Sequence, residues 1–167
     1  VVGGEGPNAS RVFVYDTFQA AWSELGADLP APRKDLGVVA AAGNIYALGG
    51  RTGNGVTAQV HVLDVAAATW RQGTALPSPR ADAAVGVVAG QIHLAGGRSN
   101  DPMRTFSEHY VLDTSGGGWR TAEPLPLPRL GAASAGSGGA FVIVGGSGGA
   151  GVFSLFTTSD VVDIYRP

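Results

Sequence analysis

The chain contains no cysteine and one methionine, and only 14% of its 167 residues are charged, where ordinary globular proteins have roughly a quarter. Without cysteine there is no disulfide, no thiolate metal site and no cysteine nucleophile, and either redox compartment suits the chain. A formal net charge of −2 leaves no basic field to attract nucleic acid or an anionic membrane surface. No apolar run approaches the ~20 residues that a membrane-spanning helix needs. The N-terminus shows no basic segment followed by an apolar stretch, so no signal peptide is read there. The localisation is therefore left open. The chain starts Val1-Val2 with no initiator methionine, and the expectation is that something precedes it.

What is abundant is glycine, 27 residues, together with 44% apolar residues. Disordered chains are apolar-poor and highly charged, and this chain is neither. Glycine at this level with so many apolar residues fits short strands joined by tight turns.

The same order of landmarks recurs along the chain, as in repeat architectures. A diglycine stands at Gly3-Gly4, Gly49-Gly50, Gly96-Gly97 and Gly145-Gly146. Tyr15-Asp16, Leu63-Asp64 and Leu112-Asp113 follow, and a tryptophan lies six residues after each Asp, at Trp22, Trp70 and Trp119. Leu-Pro-x-Pro-Arg comes next, ending at Arg33, Arg80 and Arg129, and the following diglycine closes 17 residues later each time. The span from the second glycine to the Asp instead grows from 12 to 14 to 16 residues. Constant spans mark packed strands, whose register tolerates no slip, and the growing span marks a surface loop.

The pattern predicts four strands every 46 to 49 residues, which is a propeller blade. Inner strands are expected at 37–41, 84–88 and 132–135, crowded and buried on both faces. Second strands are expected at 44–48, 91–95 and 140–144, and third strands at 12–15, 60–63, 110–112 and 162–165. The tryptophan segments form the fourth strands. Each tryptophan is expected to wedge between blades with its indole N–H seeking an acceptor. The Arg after the prolines is expected to bond loop carbonyls across the junction.

Diglycine, aromatic-Asp, a tryptophan six residues on and Pro-Arg together resemble the Kelch-repeat family over essentially the whole chain. Leu63 and Leu112 depart from the usual Tyr, and Arg166 stands in the fourth Asp position. WD-type repeats lack support, because no Gly-His…Trp-Asp pair occurs at the repeat spacing. The resemblance implies an all-β fold, a partial β-propeller of about three and a half four-stranded Kelch blades. The divisions read from the repeat are 1–30, 31–77, 78–126 and 127–167, with the first and last blades incomplete. The expectation is a fragment of a larger propeller, with the remaining blades supplied by more of the chain or by a partner.

Function on such scaffolds sits in rim loops rather than in the repeat itself. The loops after the diglycines span 5–11, 51–59, 98–107 and 147–160. Arg51 and Arg98 directly follow a diglycine, with Asn54, Asn100 and Asp101 nearby. In Kelch substrate adaptors, rim arginines and small polar residues hold acidic peptides, so the resemblance implies that Arg51 and Arg98 could grip carboxylates as bidentate forks. The alternative is pairing with local Asp. Asp35 and Asp82 each lie two residues after the Pro-Arg arginine, where the third repeat has Gly131. They weigh against an acidic ligand and towards a cation or metal, or else make Asx-type turns. In the loop 147–160, Val152, Phe153, Leu155 and Phe156 are too apolar for a free loop, and either fold over the rim or meet a partner.

His61, His93 and His109 form no ligand set by spacing and read as core or outer-strand residues. No catalytic constellation, cofactor or metal site is expected. The reading is a scaffold for protein–protein interaction through its rim loops, more a binder than an enzyme. The alternative is a sugar-related enzyme or carbohydrate-binding propeller, similar to the sialic-acid mutarotases, with a small molecule or sugar as ligand. A galactose-oxidase-like copper enzyme is excluded, since its crosslinked cofactor needs a cysteine.

Overall fold

The structure, a computed structural model, describes residues 1–100, 104–149 and 155–167. The diglycines and Asp turns cut the chain into short antiparallel strands. β1 (Phe13–Asp16) and β2 (Ala21–Glu24) form a two-stranded sheet. β3 (Gly37–Ala41), β4 (Asn44–Leu48), β7 (Val60–Asp64) and β8 (Thr69–Gln72) form the first four-stranded blade. β5 (Arg51–Thr52) and β6 (Gly55–Val56) make a small hairpin on its rim. β9 (Ala84–Val88), β10 (Gln91–Ala95), β11 (His109–Asp113) and β12 (Trp119–Ala122) form the second full blade. β13 (Ala133–Ser137), β14 (Ala140–Val144) and β15 (Val162–Tyr165) form a three-stranded sheet. In each full blade the strands lie in chain order, a meander, as a propeller requires.

All three second strands fall where the sequence predicts them, and so do β3 and β9. The last inner strand runs over 133–137 rather than 132–135, because Gly136 and Ser137 join the ladder although both are poor strand formers. Burial on both faces is an expectation that only β9 meets. β9 lies between β3 and β13 and packs on both, while β3 and β13 each turn residues outward. A small side chain lets these strands approach closely. A Cβ at Gly136 would lie 1.8 Å from the carbonyl oxygen of Val87, so only glycine fits. Beside it, the Ser134 hydroxyl and the Val85 backbone join β13 to β9 through Ser134 Oγ at 2.9 Å from both Val85 N and Val85 O.

The core is distributed between neighbouring sheets rather than gathered in one centre. One cluster takes Tyr46, Leu48, Val60 and Val62 of one blade with Ile92, Leu94 and Leu112 of the next, and Trp119 packs against it. A second takes Ala84, Val88 and Ala95 with Phe141 and Ile143. Burying large aliphatic and aromatic groups contributes about 1.5–3 kcal/mol each, so most of the stability lives between blades.

Three joins repeat between blades. The second glycine of each of the first three diglycines donates to the carbonyl of the next blade's Pro-Arg arginine: Gly4 to Arg33 at 3.0 Å, Gly50 to Arg80 at 2.9 Å and Gly97 to Arg129 at 2.8 Å. Near the channel, Asp82 N donates to Asp35 O and Gly131 N to Asp82 O, each at 2.9 Å. The tryptophans supply the third join, with Trp70 Nε1 donating to Ala27 O at 3.0 Å and Trp119 Nε1 to Thr74 O at 3.1 Å. Trp22 is 60% exposed and stacks at a tilt on Tyr15 with ring centroids 5.2 Å apart.

Candidate interaction rim

The position after each diglycine extends the blade by a pair of backbone bonds to the segment before the inner strand. Lys34 and Arg51 exchange bonds at 3.0 and 2.7 Å, Ala81 and Arg98 at 3.1 and 2.9 Å, and Leu130 and Ser147 at 2.9 Å both ways. This fixes the backbone of Arg51 and Arg98 and aims both side chains at the carboxylates two residues after the Pro-Arg arginine. Asp35 and Asp82 adopt φ of 58° and 55°, the left-handed region that Asp tolerates better than most residues, and Gly131 takes the same turn at 64°.

Arg98 sits between two blades. Its Nε donates to Asp82 Oδ2, and its Nη2 donates to Asp35 Oδ2 at 3.1 Å. Arg51 Nη1 is 3.7 Å from the same Asp35 oxygen, and its side chain is 41% exposed where that of Arg98 is 21% exposed. Of the readings left open for Arg51 and Arg98, the geometry brings out pairing with the local Asp35 and Asp82. Lys34 Nζ bonds Glu5 Oε1 at 2.6 Å, which pulls the Glu5 carboxyl below its usual range, first through that bond and then through the lysine charge.

Neighbouring loops are tied together. Asn100 Oδ1 accepts from Val56 N at 2.6 Å, reaching from the 98–107 loop into the β5–β6 hairpin. Thr105 Oγ1 donates to Gly148 O at 2.8 Å, reaching the 147–160 loop. Asn54 is exposed at the tip of the β5–β6 hairpin, where its N–H bonds Thr52 Oγ1 at 3.1 Å. Phe156 and Leu155 are 81% and 73% exposed. Asp101, Val152 and Phe153 lie outside the described residues. The structure thus brings Arg51, Arg98, Asp35 and Asp82 together, with Asn100 bonded to the adjoining β5–β6 hairpin. Among the described residues, no group of three or more His, Asp or Glu is arranged to hold a metal ion, and no helix is long and apolar enough to cross a membrane.

Two polar features lie inside the blades: the Pro-Arg arginines, expected from the sequence to bond carbonyls but not to be this deeply buried, and a histidine pair that the spacing does not show. The Pro-Arg arginines are at most 2% exposed and run under the next ladder. Arg80 donates to Gly96 O at 3.0 Å and lies over the rings of Phe106 and Tyr110, at 4.4 and 4.8 Å. Arg129 donates to Gly145 O and Val161 O at 3.3 Å and pairs with Asp163. Arg33 donates to Ala47 O at 3.1 Å, while its Nε and Nη1 have no partner among the described residues. Burial pushes the Arg33 guanidinium down to about 10. The residue three before each Asp position varies (His61, Tyr110, Asp163), and it sets how well each arginine is satisfied.

The second feature is a buried histidine pair. His93 Nδ1 lies 2.9 Å from His109 Nε2, and His109 Nδ1 lies 3.0 Å from Glu123 O. A carbonyl only accepts, so His109 carries its proton on Nδ1, and His93 Nδ1–H donates to His109 Nε2. His93 Nε2 is then a buried lone pair with no partner among the described residues. Burial, then the neighbouring His109, pushes His93 down to about 4. The register pairs Ala95 with His109 and His93 with Val111, a diagonal relation that a sequence-based register could have revealed.

Strands in blades, inner positions hydrogen-bonded from one blade to the next and indoles latching a blade to the one before define a β-propeller repeat array. Residues 1–160 match the KLHDC2/KLHL20/DRC7 Kelch-repeats domain. The chain belongs to this Kelch-repeat family, and its structure is a partial Kelch β-propeller, a scaffold typically used for protein interaction. No curated protein sequence matches it at a significant level.

Proposed function

We propose that the chain binds a protein partner through the rim loops after its diglycines, with Arg51 and Asn54 as the contact residues most open to a ligand. The observation that carries this reading is the cross-bonding of those loops by Asn100, Thr105 and Arg98, which gives a rim organised before any ligand arrives. Preorganisation lowers the ordering cost of association. Local charge is nearly balanced: Lys34, Arg51 and Arg98 face Glu5, Asp35 and Asp82. Arg51 is the least committed cation, since its 3.7 Å approach to Asp35 is too long for a hydrogen bond. A ligand carboxylate offers it a shorter bidentate contact, so a peptide with one or two acidic residues fits the rim better than a densely charged one.

The test is a peptide array of graded acidity probed with the protein and its Arg51→Ala and Asn54→Ala variants. Selective retention of mildly acidic peptides, lost in both variants at unchanged melting temperature, supports the reading. Retention indifferent to both substitutions overturns it.

A further inference from the structure

The three buried Pro-Arg arginines share a repeat position, and the residue facing each comes from one place in the strand register. Asp163 pairs with Ile143, Tyr110 with Leu94 and His61 with Ala47, each partner lying two residues before a diglycine. Asp163 gives Arg129 a carboxylate, and the Tyr110 ring lies 4.8 Å from the Arg80 guanidinium. His61 gives Arg33 neither, and its own Nδ1 is buried with no partner among the described residues.

Carbonyls do not make up the difference. Nε lacks a partner in all three arginines, so it is Nη1 that sets Arg33 apart. Arg80 Nη1 bonds Gly96 O and Glu108 O, and Arg129 Nη1 bonds Gly145 O and Val161 O. Arg33 Nη1 is buried and bonds nothing among the described residues, while its Nη2 donates to the carbonyl of Ala47, the residue directly opposite His61. Burial lowers Arg33 only to about 10, so it keeps its charge at neutral pH. Among the described residues no carboxylate pairs with it, and a buried charge left alone is strongly unfavourable. His61 feels that charge. Burial first, and then Arg33, holds its pKa below the ordinary histidine value, so the ring is neutral and carries one N–H. With that proton on Nδ1, Arg33 and His61 present two buried donors side by side and no acceptor.

We propose that a small inorganic monovalent anion, the size of chloride, binds between Arg33 Nη1 and His61 Nδ1 inside the first four-stranded blade. It plays the part that the Asp163 carboxylate plays beside Arg129. Nδ1 stands one bond beyond Cγ, as a carboxylate oxygen does, so His61 puts a donor where Asp163 has an acceptor. An anion restores the acceptor and neutralises the guanidinium at the same point. A bridging water would accept from the same donors without cancelling the charge, and the test separates the two. The site lies within the blade and stands or falls independently of the rim reading.

The test titrates sodium chloride into the full chain at neutral pH, with sodium gluconate, too bulky for a buried site, holding the ionic strength constant. Two-dimensional proton–nitrogen spectra of the imidazoles follow His61, His93 and His109 separately. The expected result is a saturable shift of the His61 ring nitrogens that fits one site, with His93 and His109 unmoved. The melting temperature should rise by a few degrees for each tenfold increase in chloride above its dissociation constant. His61→Asp supplies the carboxylate from within the chain, so the melting temperature of that variant should not depend on chloride. Arg33→Met should lose the response as well. A His61 signal indifferent to chloride overturns the proposal and leaves water as the bridge. Equal shifts of all three histidines also overturn it, since they mark a bulk salt effect, and so does a chloride response retained by the His61→Asp variant.

Discussion

Trp119 Nε1 lies 3.1 Å from the carbonyl oxygen of Thr74, which sits in the linker beyond the preceding blade's outer strand. The indole thereby joins burial to a hydrogen bond across one interface. Trp119→Phe should keep most of the packing and lose that bond, costing about 1 kcal/mol, and Trp119→Ala should cost roughly 2–4 kcal/mol. Trp22→Ala should cost under about 1 kcal/mol, because Trp22 is 60% exposed. Urea unfolding of the three variants gives the ranking. A Trp22 effect as large as that of Trp119 would contradict this assignment.

Acid should destabilise the protein through its histidines. All three have folded pKa values below 6.5, with burial as the largest cause, and His93 falls to about 4. The unfolded chain then binds more protons below the ordinary histidine value, so stability is fully present above about pH 6.5 and declines as pH falls. For His93 the loss continues to about pH 4 and reaches on the order of 3 kcal/mol. The charged groups around the pair work in the same direction, since Arg120 also disfavours protonation of both rings. Urea midpoints measured from pH 8 to 4.5 should fall, and a His93→Leu/His109→Val double variant should flatten the slope. An unchanged slope in that variant would place the acid sensitivity elsewhere.

The three buried arginines should differ although they occupy one repeat position. Arg129→Met leaves Asp163 beside a buried site without its cation and should cost about 3 kcal/mol or more. Arg33→Met removes one bond to Ala47 O along with a poorly satisfied buried charge, and should cost no more than about 1 kcal/mol. Arg80→Met should fall between, through loss of its contacts with the Phe106 and Tyr110 rings. Thermal melts of the set read the order directly.

Backbone crowding at the channel makes a sharper prediction. Gly136→Ala would drive a Cβ into Val87 O and should lower stability by several kcal/mol or prevent folding. Gly138→Ala, at φ of 57° with open space around it, should cost only about 1 kcal/mol of backbone strain. Comparable effects at the two sites would contradict the close approach of β13 to β9.

The strands were largely legible because fixed spacings in the repeat coincide with fixed registers. Gln91–Ala95 and Asn44–Leu48 end at a diglycine and begin after a turn, so both boundaries are written locally. The end of β13 was not, since Gly136 and Ser137 have no strand preference of their own and are held by Phe141 and Ala140 opposite them. Nor was the β5–β6 hairpin, which sits in a polar loop. Arg51 and Arg98 were recognisable as rim residues from their place after the diglycine. That Arg98 spends its charge on Asp35 of the neighbouring blade depends on the left-handed turn at Asp35 and on how two blades stack, and neither is a local property. The histidine pair was hidden for the same reason, since neither residue looks like a ligand until β10 and β11 are placed in register.

The bonds from Asp82 N to Asp35 O and from Gly131 N to Asp82 O join equivalent positions of successive blades. The chain therefore carries one rule of succession, not a separate plan for each blade. Deleting or duplicating a whole period leaves every remaining junction with familiar neighbours on both sides, whereas a shift of even a few residues breaks one outright.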